Sequence, residues 1–180
     1  MAALGKLAVI LFAVWLLLGI LPFFARIFGF DFLPSIEWMS KTNLPGLTAG
    51  LISAVLLFGL FLKGWDKMPG DKVKKTLAVL GAPFIGYALG RSVVVIVGPM
   101  ILALIAGHQV ELPFTVVNAD HRGYTNCRSP VDLQGLPFLF DKVCRVPSDV
   151  RPGLSPGGRI IVIGHGTSLG VFAQSLRRVD

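Results

Sequence analysis

The sequence predicts an α+β membrane protein, with about three transmembrane helices followed by a small all-β domain outside the cytoplasm. Three observations predict it: charge is nearly absent from long blocks of the N-terminal half, lysines crowd one short loop, and both cysteines fall in the C-terminal segment. Hydrophobic residues make up 53% of the 180 and charged residues 15%, against about 25% charged in an ordinary soluble domain. Residues 7–24, 44–62 and 76–107 are almost free of charge, whereas 108–180 read like a globular segment. An apolar run of about 20 residues is what a helix needs to cross the hydrocarbon core. The organisation expected is therefore a helical region over 1–107, with spans near 7–24, 44–62 and 85–106, and a β domain over 108–180.

The first span, Leu7–Phe24, lies between Lys6 and Arg26. It is longer than the apolar core of a signal peptide and ends in Pro22-Phe23-Phe24 rather than at a small-residue cleavage site, so it reads as an uncleaved span. Residues 25–43 are too apolar for a free loop and too polar to insert; they read as a segment at the membrane interface, with Trp38 at headgroup depth. The second span, Leu44–Leu62, carries Gly46 and Gly50 in a G-x-x-x-G that lets a neighbouring helix come close. Thr76–Gly107 is longer than one crossing needs and is interrupted by Arg91. A single tilted helix is preferred to a hairpin, because a turn there would leave backbone groups unpaired in lipid.

Orientation follows from positive charge in short loops. Lys63, Lys67, Lys72, Lys74 and Lys75 gather after the second span, while residues 25–43 hold only Arg26 and Lys41. The lysine loop and the N-terminus are thus expected on the cytoplasmic side of a bacterial inner membrane, and the β domain in the periplasm. The net charge of +7 is read as topological, with anionic lipid as a minor partner of the lysines and no nucleic acid as a partner. An oxidising compartment makes a Cys127–Cys144 disulfide expected. Closing that loop is worth about 3 kcal/mol, which matters for a module this small.

Strands are expected at QVELPFTVV, where Val110, Leu112, Phe114 and Val116 alternate, and at VDLQGLPFLF, KVCRV, RIIVIG and SLGVFAQSL. Turn signals fall at Asp120–Gly123, Ser155–Gly158 and Gly164-His165-Gly166, with a short helix conceivable near Ser148–Leu154. Five short strands suggest an OB-like barrel or a sandwich.

Motifs that carry chemistry are scarce. Gly164–Gly170 misses a dinucleotide fingerprint by one position and is expected to be a hairpin turn. His108, His121, His165 and Asp120 have no zinc spacing, so no metal and no cofactor are expected. Ser168 with His165 and Asp120 or Asp149 lacks a nucleophile elbow. Arg91 is the one residue in a costly setting, a candidate intramembrane functional residue whose ordinary alternative is snorkelling toward the headgroups. The residues resemble no family specifically enough to name one.

The function expected is that of a non-enzymatic interaction protein: an accessory subunit of an envelope complex or an immunity-type factor, with another envelope protein or a second copy as partner. The alternative is an oligomeric channel or transporter component using Arg91. A membrane-bound hydrolase relying on His108, Asp120 and His121 comes third.

Overall fold

The computed structural model describes residues 2–67, 69–119, 127, 130–137, 140–144, 146 and 154–179, the side chains of 2–5 excepted. His121, Asp120, Asp149 and nearly all of the Ser148–Leu154 segment lie outside these residues. Two compact units share the chain: Met1–Leu21 with Thr42–Val97, and Pro22–Lys41 with Gly98–Asp180.

Three helical stretches are long and apolar enough to cross a membrane. They are α1 (Ala2–Ile27), α2 (Ile36–Lys63), and an unbroken run over Lys72–Ala106. That run comprises α3 (Lys72–Ser92), a π-helical stretch Val93–Val97 and α4 (Gly98–Ala106). No hairpin forms at Arg91. The π stretch falls on four valines and an isoleucine just before Gly98-Pro99. β-Branched side chains crowd a regular helical turn, and Pro99 has no N–H for the carbonyl four residues back. Helix α2 begins at Ile36, eight residues ahead of the expected second span.

In the first unit the helices meet through small residues. A side-chain carbon on Gly86 would come to 2.7 Å from the Ser53 carbonyl oxygen and 2.9 Å from the Ala54 Cα. One on Gly50 would strike the Tyr87 ring, and one on Gly46 the Val95 side chain. Helix α1 joins this packing where Gly19 lies against the Leu89 backbone and where Trp15 Nε1 donates to Ser53 Oγ at 3.1 Å. Faces turned the other way are apolar and uncovered: Leu44 is 71% exposed and Phe84 77%. Patches of this kind suit an apolar solvent, not water.

The second unit is built on one curled, six-stranded antiparallel sheet, a half-barrel, in the order β1-β6-β5-β2-β3-β4. Its strands are β1 (Phe32–Pro34), β2 (His108–Asn118), β3 (Val131–Leu133), β4 (Lys142–Val143), β5 (Arg159–Thr167) and β6 (Gly170–Arg178). It is a single sheet rather than two stacked ones. Alternating residues of β2 and β5, among them Phe114, Val116, Ile160 and Val162, join Leu33, Val131, Val143 and Val171 in the core. Cys127 and Cys144 form a disulfide, and α4 lies against β5 and β6.

Two expectations from the sequence do not hold. Phe32–Pro34 is a strand rather than part of an interfacial segment: Phe32 and Leu33 are buried at 4% and 1% exposure, and Phe32 stacks on Phe172 at 4.9 Å between ring centroids. Gly164-His165-Gly166 is not the hairpin turn but the interior of β5; the chain reverses at Ser168-Leu169, between Thr167 and Gly170. The glycines answer to space. The register shifts between Ile163 and Gly164, and a side chain at 164 would run into the Phe172 carbonyl, as at a bulge where two backbones press together. The expected turn at Ser155–Gly158 does form, with Gly157 at φ +83°. Among the described residues of VDLQGLPFLF, Val131–Leu133 are strand, ending in a turn at Gln134-Gly135.

Candidate functional site

The half-barrel is open along one side. β1 pairs with β6 only over Gly170–Phe172, and the Asp31 carbonyl then accepts the Ala173 N–H at 2.9 Å. β6 runs on to Arg178, with no strand on its outer side among the described residues. Facing residues of an antiparallel strand alternate, but the register shift between Ile163 and Gly164 leaves Gln174 as an extra residue on β6 and reverses the phase. Because the Val179 N–H donates to the Arg159 carbonyl at 3.1 Å, Ser175 and Arg177 face β5, and it is Leu176 between them that turns its backbone groups outward. The opposite end of the sheet is β4, two residues long. Asp31 links the two ends, because its Oδ2 also accepts the Cys144 N–H at 3.1 Å. Between them is a cavity of about 290 Å³, lined by Gly29, Asp31, Val143, Cys144, Gln174 and Ser175.

Acidic residues cluster at the β3–β4 end. Lys142 Nζ stands 3.7 Å from Asp132 Oδ1. Asp141 has a buried oxygen without a partner, and burial pushes its carboxyl above the ordinary range. Nearby, Arg26 lies over the Phe140 ring at 5.9 Å. Among the described residues no three of His, Cys, Asp and Glu converge as metal ligands would.

The helical unit contains a second polar cluster. Arg91 donates through Nη1 to the Tyr87 hydroxyl at 3.0 Å and through Nη2 to Asn43 Oδ1 at 3.2 Å. Tyr87 and Arg91 are half-buried and Asn43 is exposed. Tyr87 precedes Arg91 by four residues, one helical turn, and that pairing is legible in sequence. Asn43 is 48 residues away, and nothing local points to it.

Other residues singled out by sequence stay apart. His108 pairs with Gly166 and His165 with Gln109, so the two imidazoles leave opposite faces of the sheet. Ser168 sits in the hairpin turn, where the Thr167 hydroxyl accepts the Leu169 N–H. Gly46 and Gly50 face the third helix inside the chain. Lys63 closes α2, Lys67 ends a short 3-10 turn, and Lys72, Lys74 and Lys75 open α3, with Lys75 Nζ donating to the Trp65 carbonyl at 3.2 Å.

No protein-family model, no curated protein and no solved structure matches this chain.

Proposed function

We propose that this is a non-enzymatic protein of the bacterial inner membrane, whose half-barrel takes up an extended segment of another envelope protein on the periplasmic side. One observation carries the reading: β6 is nine residues long, and β1 pairs with three of them. An uncovered strand edge presents unpaired N–H and C=O groups, a template for strand addition. Such an edge supplies affinity through main-chain bonds while a neighbouring cavity sorts side chains. The five lysines support a cytoplasmic lysine loop and a half-barrel on the other side.

Photo-crosslinking from the exposed side chain at position 175 of the full chain in intact membranes tests the reading, compared with Leu176→Pro in the same background. Proline at 176 removes an outward N–H while the neighbouring residues keep their pairing with β5, as an edge strand allows. The expected result is one crosslinked partner at defined stoichiometry, whose co-purification with the chain Leu176→Pro weakens. A homo-oligomer with no partner and no sensitivity at position 176 would sink the reading. It would favour the channel alternative, in which Arg91→Ala changes flux.

A further inference from the structure

We infer that Arg91, Asn43 and Tyr87 form a binding site for a phosphate group at the outer edge of the membrane. The inference rests on the helices spanning a bilayer and is independent of what the half-barrel binds.

The helical unit contains two carboxylates, Asp66 and Asp71, both at the lysine-rich end of its helices. Arg91 stands 20 residues beyond Asp71 on the same helix, about 30 Å at the helical rise. Its hydrogen-bond partners are a phenol and an amide, both neutral. The guanidinium thus carries a full positive charge that no carboxylate in this unit offsets. Cations on membrane helices are costly unless something neutralises them.

Depth identifies what would neutralise it. Arg91 lies 19 residues from Lys72 along α3, and Asn43 lies 20 residues from Lys63 along α2. Each count is about 30 Å, the thickness of a hydrocarbon core. Two helices running in opposite directions therefore bring a polar side chain to the same level, and the Asn43–Arg91 bond joins them there. Phospholipid phosphates lie at that level.

The donors available also fit. Arginine has five N–H groups in a planar fork suited to two oxygens of a phosphate. Two of its nitrogens are engaged with Tyr87 and Asn43, which fix the fork's orientation and leave further N–H groups to offer. Tyr87 accepts from Arg91 through its oxygen and keeps its own O–H to donate. Asn43 likewise accepts through Oδ1, leaving its amide NH₂ to donate on an exposed face. Three donors of one site are thus directed by side chains from two helices, with one net positive charge among them. A monoanionic phosphodiester matches that charge.

The full chain in maltoside micelles, followed by native mass spectrometry, provides the test. The probes are dioleoylphosphatidylglycerol, dioleoylphosphatidylcholine and inorganic phosphate. Phosphatidylglycerol is expected to give one adduct that Arg91→Gln weakens roughly tenfold or more, as loss of charge-assisted hydrogen bonds implies. The triple variant Lys72→Gln/Lys74→Gln/Lys75→Gln is expected to lose other adducts and retain this one. If millimolar inorganic phosphate displaces the lipid, the site takes free phosphate; if it does not, the headgroup is the ligand. Equal phosphatidylglycerol affinity in wild type and Arg91→Gln would overturn the proposal. Should Arg91→Gln fail to fold, Asn43→Ala decides: a several-fold loss supports the site, and unchanged affinity overturns it. Alkaline carbonate extraction separates the two ideas, since release of the chain defeats the spanning reading whatever the lipid data say.

Discussion

The helical unit and the half-barrel hold themselves together by opposite means. In the helical unit the closest helix contacts run through glycine, alanine and serine, and many of the leucines and phenylalanines are exposed, while the valines of the π stretch are buried. In the half-barrel the bulky side chains point inward, and a disulfide joins Cys127 to Cys144. Lipid is as apolar as leucine, so helices within it gain little by hiding leucines from it and gain instead by bringing backbones close. In water, burying valine, isoleucine and phenylalanine is the main source of stability, at about 25 cal/mol for each Å² of apolar surface. The inversion is what is expected of a chain whose helices are long and apolar enough to cross a membrane and whose sheet is packed as for water.

The largest expected effect separates the units most clearly. Cys127→Ser is expected to destabilise the half-barrel by about 3 kcal/mol, seen as faster hydrogen exchange in β2 and β5 peptides while α2 and α3 peptides hold. Equal loss of protection in both would mean that the units unfold together, and the comparison would break.

The complementary test is made in the helices. A methyl group on Gly86 would meet the Ser53 and Ala54 backbone, whereas one on Gly81 meets nothing within 4 Å. Gly86→Ala is expected to lower stability in detergent by roughly 1–3 kcal/mol, the cost of overpacking. Gly81→Ala should be neutral or slightly stabilising, because alanine is the better helix former. Similar melting temperatures for the two variants would mean that close backbone approach is not what holds the helices.

A smaller effect tests the link across the open side of the half-barrel. Asp31→Ala removes the acceptor of the Cys144 N–H and is expected to cost about 1–2 kcal/mol. The change should appear as faster exchange at Cys144, with β5 unaffected.

Asp141 gives a prediction of sign. Its carboxyl is raised above the ordinary 3.8, first by burial, with its own backbone N–H and Lys142 acting against the shift. A carboxyl raised in the folded state contributes stability below its unfolded pKa and loses that contribution as the pH rises through the folded value. Asp141→Asn is therefore expected to match or exceed wild-type stability at neutral pH, with the difference shrinking as the pH falls toward and below 3.8. Denaturant midpoints at pH 7 and pH 3.5 check this, and a variant less stable than wild type at pH 7 would contradict it. Smallest of all, Glu37→Gln removes an exposed ion pair with Lys41, and its melting temperature should be indistinguishable from wild type.

Much of the half-barrel was legible because alternation is a local property. QVELPFTVV and RIIVIG announce β2 and β5 within a residue or two at most of their ends, except that β5 continues through His165–Thr167. Those glycines read as a turn because glycine more often marks a turn than a bulge, and only the facing β6 backbone reveals which applies. β1 was hidden for a different reason. Three residues are too few for a period, and Phe32-Leu33-Pro34 sits among phenylalanines that suit an interface equally well. Its partner, Gly170–Phe172, is more than 130 residues along the chain. Of the Arg91 cluster, Tyr87 was within reach of helical spacing and Asn43 was not.

By itself the sequence determined three apolar helices, a lysine-rich loop after the second, and a small β unit with two cysteines that pair. Each follows from composition over a short window, or from the absence of any other cysteine. Only the tertiary structure decided that the sheet borrows a strand from between the first two helices, that it stays open beside β6, and that Arg91 meets Asn43. These depend on which distant segments come together. Hydropathy and period report the solvent each residue prefers, and many pairings satisfy the same preference. The choice among them is made by backbone hydrogen bonds and by fit between surfaces far apart in the chain.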